Sequence, residues 1–591
     1  MPPTTVRDPS SHAARRLGIF LRHISHPSQP DAEQAESGDG SRLAAVPTSA
    51  TASMISSVLP LLALGGFSLY QSRKANSESE KRILSKLEEL AEDHGFDAER
   101  LKEIGTWAKK LTDSKKLPGI VLAVARKGEV VFHEAYGDTS YQRDCIFSIK
   151  AMAMPIIAAA LLSLIDEGKA AIDDDVTKFM PYFSKFQVYQ SGRNPQSFKT
   201  APLSDKMTLR HLLTSTWGFP GSIFSQSSDP AIRALDAMAS QMKPVIGNDA
   251  DFEKLTEIPL IGRPGHCYRF GSIVVSVIGH IICKITGRPL REVVHNRVLA
   301  PLEMTDTDWF VPHDKMSRVP GLAQAVPWLT NRLWGTLLTG PHAGHTSWMG
   351  WVGKATPSAV PESVPSELNE EAGLYSTALD QLKFHAMLLK GGEAASGRRV
   401  LSPESVRLMT TDQLPLFGHR LADEVFNTHA RDRGNSGGAV APQFGVKAEG
   451  QGVSCGLQVV TRPFASRLAG SKGTFSSWGY HGTECWSDPA LEMSIFVGTQ
   501  LFPFWALPDM RQEAAGSVYG SMVSTAAAKH IVTPGADGGG AFGNIMNMMM
   551  MMSMFGGLGG MGGMGGMGAP AGGAGAQGSA GSGGGGGGVG T

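Results

Sequence analysis

The feature that most constrains this chain is the stretch Cys145–Phe183, in which an apolar run leads into a glycine and a row of acidic residues. The order of residues predicts the end of a strand, then a long apolar helix, then a turn at Gly168. Because Ala, Ile and Leu fill most of the helix, we expect it to be buried between a sheet and a helical lobe. The fold must then be built around this helix.

The composition indicates a globular protein and excludes some kinds of partner. Of the 591 residues, 42% are hydrophobic and 18% are charged, so the chain can bury a large core. A formal net charge of zero gives no reason to expect a nucleic-acid-binding surface. Five dispersed cysteines without CxxC spacing argue against a disulfide framework and a zinc site, and we expect buried, reduced thiols. They are Cys145, Cys267, Cys283, Cys455 and Cys485.

Residues 1–50 have the composition of a basic targeting segment. The stretch His12–Ile24 can form a short basic amphipathic helix, and Asp8 is the only acidic residue before Asp31. These properties are typical of a mitochondrial presequence. A disordered tail of chance composition is the alternative.

Residues 51–72 predict a membrane anchor. The stretch Met54–Tyr70 is strongly apolar and is followed by Arg73 and Lys74. A membrane span needs about 20 apolar residues, so this stretch is marginal in length, and Pro60 and Gly65-Gly66 weaken a helix there without forbidding it. The alternative is a buried hydrophobic linker.

The rest of the chain divides into three parts. Residues 73–116 alternate charged and apolar side chains at helical spacing and predict two amphipathic helices. Residues 117–528 form the main domain, which opens with a predicted β-hairpin over Leu117–Phe132. Residues 534–591 are rich in Gly and Met, and such a low-complexity tail is expected to be disordered.

The apolar helix and five later blocks resemble one family. Pro155 and the run Asp166–Lys169 fall where the nucleophile helix of serine β-lactamases and penicillin-binding proteins, in the class C-related branch, has the same residues. The later blocks follow in family order at residues 207–218, 279–307 (with Glu303 in a Gly place), 372–380, 401–411 and 482–500. The resemblance implies an α+β fold, an antiparallel sheet flanked by helices with a helical lobe.

The resemblance also implies a catalytic Ser-x-x-Lys at the start of the helix, which this chain lacks. Counting back from Pro155, Ala151 stands in the Ser position and Met154 in the Lys position. Ala151 has no nucleophile and Met154 cannot accept a proton. Ser148 and Lys150 are an alternative pair, but they lie two residues apart, about 200° around a helix, and are not expected to touch.

The second motif of the family, Tyr-x-Asn, is also changed. After Pro264 the Tyr position holds Phe270 and the Asn position holds Ser272. Phenylalanine keeps the ring and loses the phenol that serves as base or proton relay. A shift that makes Tyr268 the base is the alternative.

The third motif is partly kept. Trp478 and Gly479 resemble the Trp-Gly-Gly strand that lines the family's oxyanion hole, where backbone N–H groups hold an oxygen. His481 is a fallback base, although a single His beside a strand is more often structural. We therefore expect a degenerate cleft lined by five residues and no cofactor. These are Ala151, Met154, Phe270, Trp478 and Gly479.

Two further features bear on function. Residues 332–365 match no family block, contain Trp334, Trp348 and Trp351, and are expected to form an insertion near the mouth of the cleft. His342 and His345 in this insertion lack a third ligand nearby, so no metal is predicted.

Together these features predict an inactive member of the family that serves as a structural or interaction subunit. We expect it in a membrane complex of the mitochondrion, at the inner membrane, or in a self-assembly. A hydrolase, peptidase or esterase that uses displaced residues is one alternative. A binding module for apolar ligands is another, because the substitutions make the cleft more apolar.

Overall fold

The structure is a computed structural model that describes most of the main domain. The described residues are 85–221, 229–327, 349–351, 360–368, 373–414, 450–463, 466, 470–502 and 510–523. All of them belong to one compact unit, Lys81–Thr591. The targeting segment, the membrane anchor, the C-terminal tail and most of the insertion, including His342 and His345, lie outside the described residues.

The described strands form one large sheet and three small ones. They are β1 (Gly119–Arg126), β2 (Glu129–Gly137), β3 (Phe147–Ser148), β4 (Gln187–Ser191), β5 (Lys199–Pro202), β6 (Ala323–Pro327), β7 (Met349–Trp351), β8 (Tyr375–Ser376), β9 (Gln451–Val453), β10 (Gln458–Val460), β11 (Phe475–Gly479), β12 (Thr483–Asp488), β13 (Met493–Gly498) and β14 (Leu501–Phe502).

Helices cover both faces of the large sheet. Residues 85–93 are helical, and the further α-helices are α1 (Ala98–Leu101), α2 (Glu103–Asp113), α3 (Ala153–Asp166), α4 (Leu209–Leu213), α5 (Pro230–Ser240), α6 (Asp249–Lys254), α7 (Ile273–Thr286), α8 (Leu290–Val294), α9 (Ala378–Leu389), α10 (Pro403–Thr410) and α11 (Met510–Gly520).

The large sheet is antiparallel throughout and has the order β2-β1-β13-β12-β11-β10-β9. Its first hairpin turns at Lys127 and Gly128, both with positive φ, which suits a two-residue turn between twisted strands. The predicted hairpin is therefore confirmed, as is the α+β fold with an antiparallel sheet between helices.

Strand β1 separates two hydrophobic cores because its side chains alternate between the sheet faces. Ile120 and Leu122 join an outer core with α2 and α11, whereas Val121 and Ala123 join the main core with α3 and the helical lobe. All eight residues of β1 are buried, as expected for a central strand covered on both sides.

Helix α3 is the centre of the main core. A 3₁₀ turn over Lys150–Met152 leads into it, and every residue from Ala153 to Leu164 is buried. The chain leaves the helix through Gly168, whose φ of 71° is one that glycine adopts without strain. The strand end, buried helix and Gly turn expected from the sequence are confirmed.

The five cysteines are all free thiols. Cys145, Cys455 and Cys485 are buried, and Cys267 and Cys283 are partly buried.

Within the described residues, no single helix has the length and hydropathy of a membrane span. Ile273–Thr286 and Leu290–Leu299 would reach that length together, but they are bent by 83° and largely buried in the domain.

Candidate functional site

The start of α3 faces the end of strand β11. A Cβ atom on Gly479 would lie 2.3 Å from the carbonyl oxygen of Ile149, so only glycine allows this close approach. Lys150 follows with a φ of 48°, a left-handed conformation that is unusual for a residue with a side chain. The backbone thus presents Ala151 toward strand β11.

Ala151 and Met154 lie in the wall of a cleft between α3, β11 and the loop that precedes α7. This cleft, the smaller chamber, encloses about 510 Å³, part of it open to solvent. Its other walls include Leu213, Ser215, Tyr268, Phe270, Leu457, Ser477 and Trp478. Met154 is only 2% exposed, and its thioether cannot accept a proton at neutral pH.

The loop before α7 contributes the aromatic wall. Tyr268 and Phe270 both line the smaller chamber, while Ser272 lines the next one. Burial raises the pKa of Tyr268 well above its usual range, so its hydroxyl keeps its proton at neutral pH. Arg269, which lies between Tyr268 and Phe270 in the sequence, forms a buried ion pair with Asp236 of α5. This ion pair fixes the loop.

Two serines of β11 were not singled out in the sequence, although Ser477 directly precedes the Trp-Gly pair. Ser476 and Ser477 line the smaller chamber, and neither hydroxyl has a hydrogen-bond partner within the described residues. Ser477 pairs with Cys485, a member of the main core, so its side chain points to the α3 face of the sheet. A buried hydroxyl without a partner is costly and marks a position where a ligand or water could bind.

A larger chamber adjoins the smaller one and extends into the helical lobe. It encloses about 1100 Å³, part of it open to solvent, and shares Ala151, Phe270 and Trp478 with the smaller chamber. No sequence pattern indicated this chamber, because its walls come from helices α3, α5, α7 and α8, which are distant in the chain.

Lys150 lines the larger chamber beside Tyr480. Its ammonium lies 5.8 Å from the centre of the Tyr480 ring, within the range of a cation–π contact. The His481 ring packs edge-on against Tyr480, at 4.9 Å between centroids. Burial, with a smaller contribution from the charge of Lys150, lowers the pKa of His481 to about 3, which makes it a weak base.

The fallback catalytic residues do not come together in one chamber. Lys150 lines the larger chamber and Tyr268 the smaller one, whereas Ser148 and His481 are in the walls of neither. Ser148 is a buried residue of β3, paired with Tyr375 of β8. Of the five residues expected to line the cleft, four do so, and Gly479 instead packs against the turn before α3.

The insertion is described only in part. Strand β7 within it pairs with β6, which pairs with β14, and the N–H of Leu501 in β14 donates to the carbonyl of His481. The described part of the insertion is therefore tied to the end of β11, next to Tyr480. Across the described ranges, no three His, Cys, Asp or Glu residues are grouped in a way that could hold a metal ion.

The sequence model of the Beta-lactamase family matches residues 104–516, more than half of the chain. The chain belongs to the Beta-lactamase family. This agrees with the resemblance of the sequence blocks and with the antiparallel sheet and helical lobe.

Similar proteins include both uncharacterized members and enzymes. An uncharacterized protein of Mycobacterium tuberculosis (strain CDC 1551 / Oshkosh) is 32% identical over 422 residues, which is 70% of this chain and 92% of that protein. Esterase EstB of Burkholderia gladioli is 28% identical over 222 residues, 35% of this chain and 50% of the esterase. Unliganded simvastatin synthase (LovD) of Aspergillus terreus has the same fold, with a TM-score of 0.52 at 19% identity, covering 72% of this chain and 98% of the synthase.

Proposed function

We propose that this Beta-lactamase family member carries out no serine acyl transfer and serves as an interaction subunit of a membrane-associated, mitochondrial assembly. The observation that carries the first part is the pair Ala151 and Met154 in the wall of the cleft, where the family resemblance implies Ser and Lys. Acyl transfer needs an activated nucleophile and a base within hydrogen-bond reach, and these two side chains supply neither.

The other groups near the cleft do not replace the missing pair. Tyr268 keeps its proton because burial raises its pKa, and His481 has a pKa lowered to about 3. Ser148 lies in a buried strand outside both chambers. These three observations support an inactive cleft.

The assembly part of the proposal rests on the sequence outside the described residues. The basic stretch His12–Ile24 and the apolar stretch Met54–Tyr70 favour import and anchoring. A folded domain that lacks catalytic groups and is held at a membrane can still bind other proteins. We therefore infer that it binds other subunits or copies of itself.

A hydrolase is the second candidate, favoured by the relatives, since one of them is named an esterase. The two candidates differ in labelling by a fluorophosphonate probe. We expect no stoichiometric labelling of the full chain, with Esterase EstB as the positive control. Labelling that is lost in Ser148→Ala would overturn the inactive cleft and establish the hydrolase.

The assembly is tested by native electrophoresis and mass spectrometry of the full chain, extracted from mitochondria in mild detergent. We expect a species larger than one chain that co-migrates with other proteins or with further copies. Deletion of residues 51–72 should release the chain from the membrane fraction, and a wild-type chain that runs as a lone soluble monomer would contradict the proposal.

A further inference from the structure

The larger chamber has an apolar interior and a polar opening. Ala239, Leu290 and Trp309 in its wall are 0%, 1% and 2% exposed and therefore lie at depth. Lys150 and Tyr480, which also line it, are partly exposed and therefore lie toward solvent.

The walls of the two chambers also contain two buried hydroxyls. Ser276 of α7 is fully buried in the wall of the larger chamber, and Ser477 is 6% exposed in the wall of the smaller one. Neither hydroxyl has a partner within the described residues. The two chambers share Ala151, Phe270 and Trp478 in their walls.

We propose that the larger chamber binds a single-chain amphiphile with an anionic head, of the class of long-chain carboxylates. The hydrocarbon chain lies among the apolar walls between α3, α5, α7 and α8, and the head lies at the opening beside Lys150. Burial of the hydrocarbon chain removes apolar surface from water and so supplies most of the affinity. The ammonium of Lys150 provides a positive charge for the head.

This inference rests on the inactive cleft of the proposed function, because in a working hydrolase the same chamber would hold a long-chain carboxylate only as the product of turnover. It does not depend on the membrane assembly. Binding and turnover are therefore measured on the same samples, so that the failure of one can be told from the failure of the other.

The experiment measures binding of radiolabelled myristate to the purified full chain by equilibrium dialysis, with protein-free samples subtracted. We expect saturable binding of one myristate per chain. Val275→Trp, at a partly buried position in the chamber wall, should weaken binding by about tenfold or more, because the indole occupies the space of the chain. Ser272→Trp, at a partly exposed position of the wall, provides a second blocking variant if the first does not fold.

The head is tested by Lys150→Met, which should weaken myristate binding by about fivefold and leave binding of myristyl alcohol unchanged. Lys110→Met, an exposed lysine of α2 on the opposite face of the sheet, is the matched control and should have no effect. Tetradecyl phosphate separates the two kinds of anion, since binding as tight as that of myristate would overturn the preference for a carboxylate.

Two outcomes concern the binding proposal and a third concerns the inactive cleft on which it rests. Absence of saturable binding, or full binding by two folded blocking variants, would overturn it. Equal loss of myristate and alcohol binding in Lys150→Met would overturn the placement of the head. Hydrolysis of 4-nitrophenyl myristate that is abolished by Ser148→Ala would instead overturn the inactive cleft, whatever the binding result.

Discussion

Met154 occupies a buried position where a charged side chain would have no described acidic partner in the chamber wall. Its neighbours in the smaller chamber include Leu213, Phe270 and Leu457, and it is 2% exposed. The residue has become part of the hydrophobic packing between α3 and the sheet. Reintroducing lysine is therefore a folding problem before it is a catalytic one.

We expect Met154→Lys to lower the free energy of unfolding by about 3 kcal/mol at pH 7, because the buried ammonium loses its hydration. Burial lowers a lysine pKa, so the unfolded chain binds the extra proton and the deficit should shrink as the pH rises toward about 10. Urea unfolding at pH 7 and pH 9.5 measures this. Met154→Leu, which keeps the volume, should cost less than about 1.5 kcal/mol, and an equal loss in both variants would contradict the explanation.

Glu303 has a φ of 54°, and it stands where the family pattern has glycine. The left-handed conformation costs a residue with a Cβ atom roughly 1–2 kcal/mol. The sequence showed that Glu303 replaces a family glycine. It did not show that this places a residue with a Cβ atom in a left-handed conformation.

Replacing Glu303 with glycine should raise the free energy of unfolding by about 0.5 kcal/mol, since relief of strain exceeds the entropy that glycine adds to the unfolded chain. Thermal unfolding of Glu303→Gly and of the control Glu303→Ala tests this. The alanine variant keeps the Cβ atom and should show no gain. A gain in both would place the effect in the glutamate side chain.

At the scale of elements, the loop before α7 is held by a buried ion pair. Asp236 of α5 accepts hydrogen bonds from Arg269 and from the N–H of Gly221, and both ionic side chains are less than 8% exposed. The pair fixes the two rings of Tyr268 and Phe270 that flank Arg269. Breaking it affects both the fold and the cleft.

We expect Asp236→Asn to lower the free energy of unfolding by about 3 kcal/mol or more, because it removes the negative charge that pairs with a buried guanidinium. The double variant Asp236→Leu with Arg269→Met should recover part of this loss, since neither charge then remains buried. Chemical denaturation of the single and double variants gives the coupling between the two residues. Equal losses in the single and double variants would exclude the ion pair as the cause.

Local patterns predicted many elements well. The apolar run of α3 and the hairpin turn at Lys127–Gly128 each depend on residues close in the chain. The order of strands in the large sheet was not derivable in this way, because β1 pairs with β13, more than 360 residues later. Only the family resemblance indicated the antiparallel sheet.

The candidate site was predictable in part for the same reason. Spacing from Pro155 placed Ala151 and Met154 at the start of α3, and both line the cleft. The orientation of Ser477 and the depth of the larger chamber depend on packing between distant elements. Gly479 was expected in the cleft wall. Instead it packs closely against the backbone of Ile149.

At the scale of the whole molecule, several histidines that are wholly or partly buried make the free energy of unfolding sensitive to acid. Burial lowers the pKa of His133 and His211 to about 4, and that of His385 and His481 to about 3. In the unfolded chain these histidines have pKa values near 6.5. Between that pH and the lower pKa values of the folded chain, the unfolded chain therefore binds more protons than the folded chain. Stability is complete above about pH 6.5 and falls as the pH drops toward 4.

The free energy of unfolding should fall steadily between pH 7 and pH 5, with His385 alone contributing on the order of 1–2 kcal/mol. Urea unfolding across this range measures the slope, and His385→Gln should reduce it. Glu167 and Asp306, whose pKa values are lowered to about 2 by arginine and lysine partners, act only at lower pH. An unchanged slope in His385→Gln would contradict the assignment.

The two ends of the described domain are joined on the outer face of the sheet. Phe96 forms a β-bridge with Met522, and the N–H of Val523 donates to the carbonyl of Gly95. A pulling force applied through the segments that precede Gly95 and follow Val523 would therefore act first on these contacts and on the outer core. Strand β12 shares the outer core through Trp486, whereas β9–β11 lie beyond it in the sheet, so tension between the two ends of the domain would load β12 before the strands that wall the cleft.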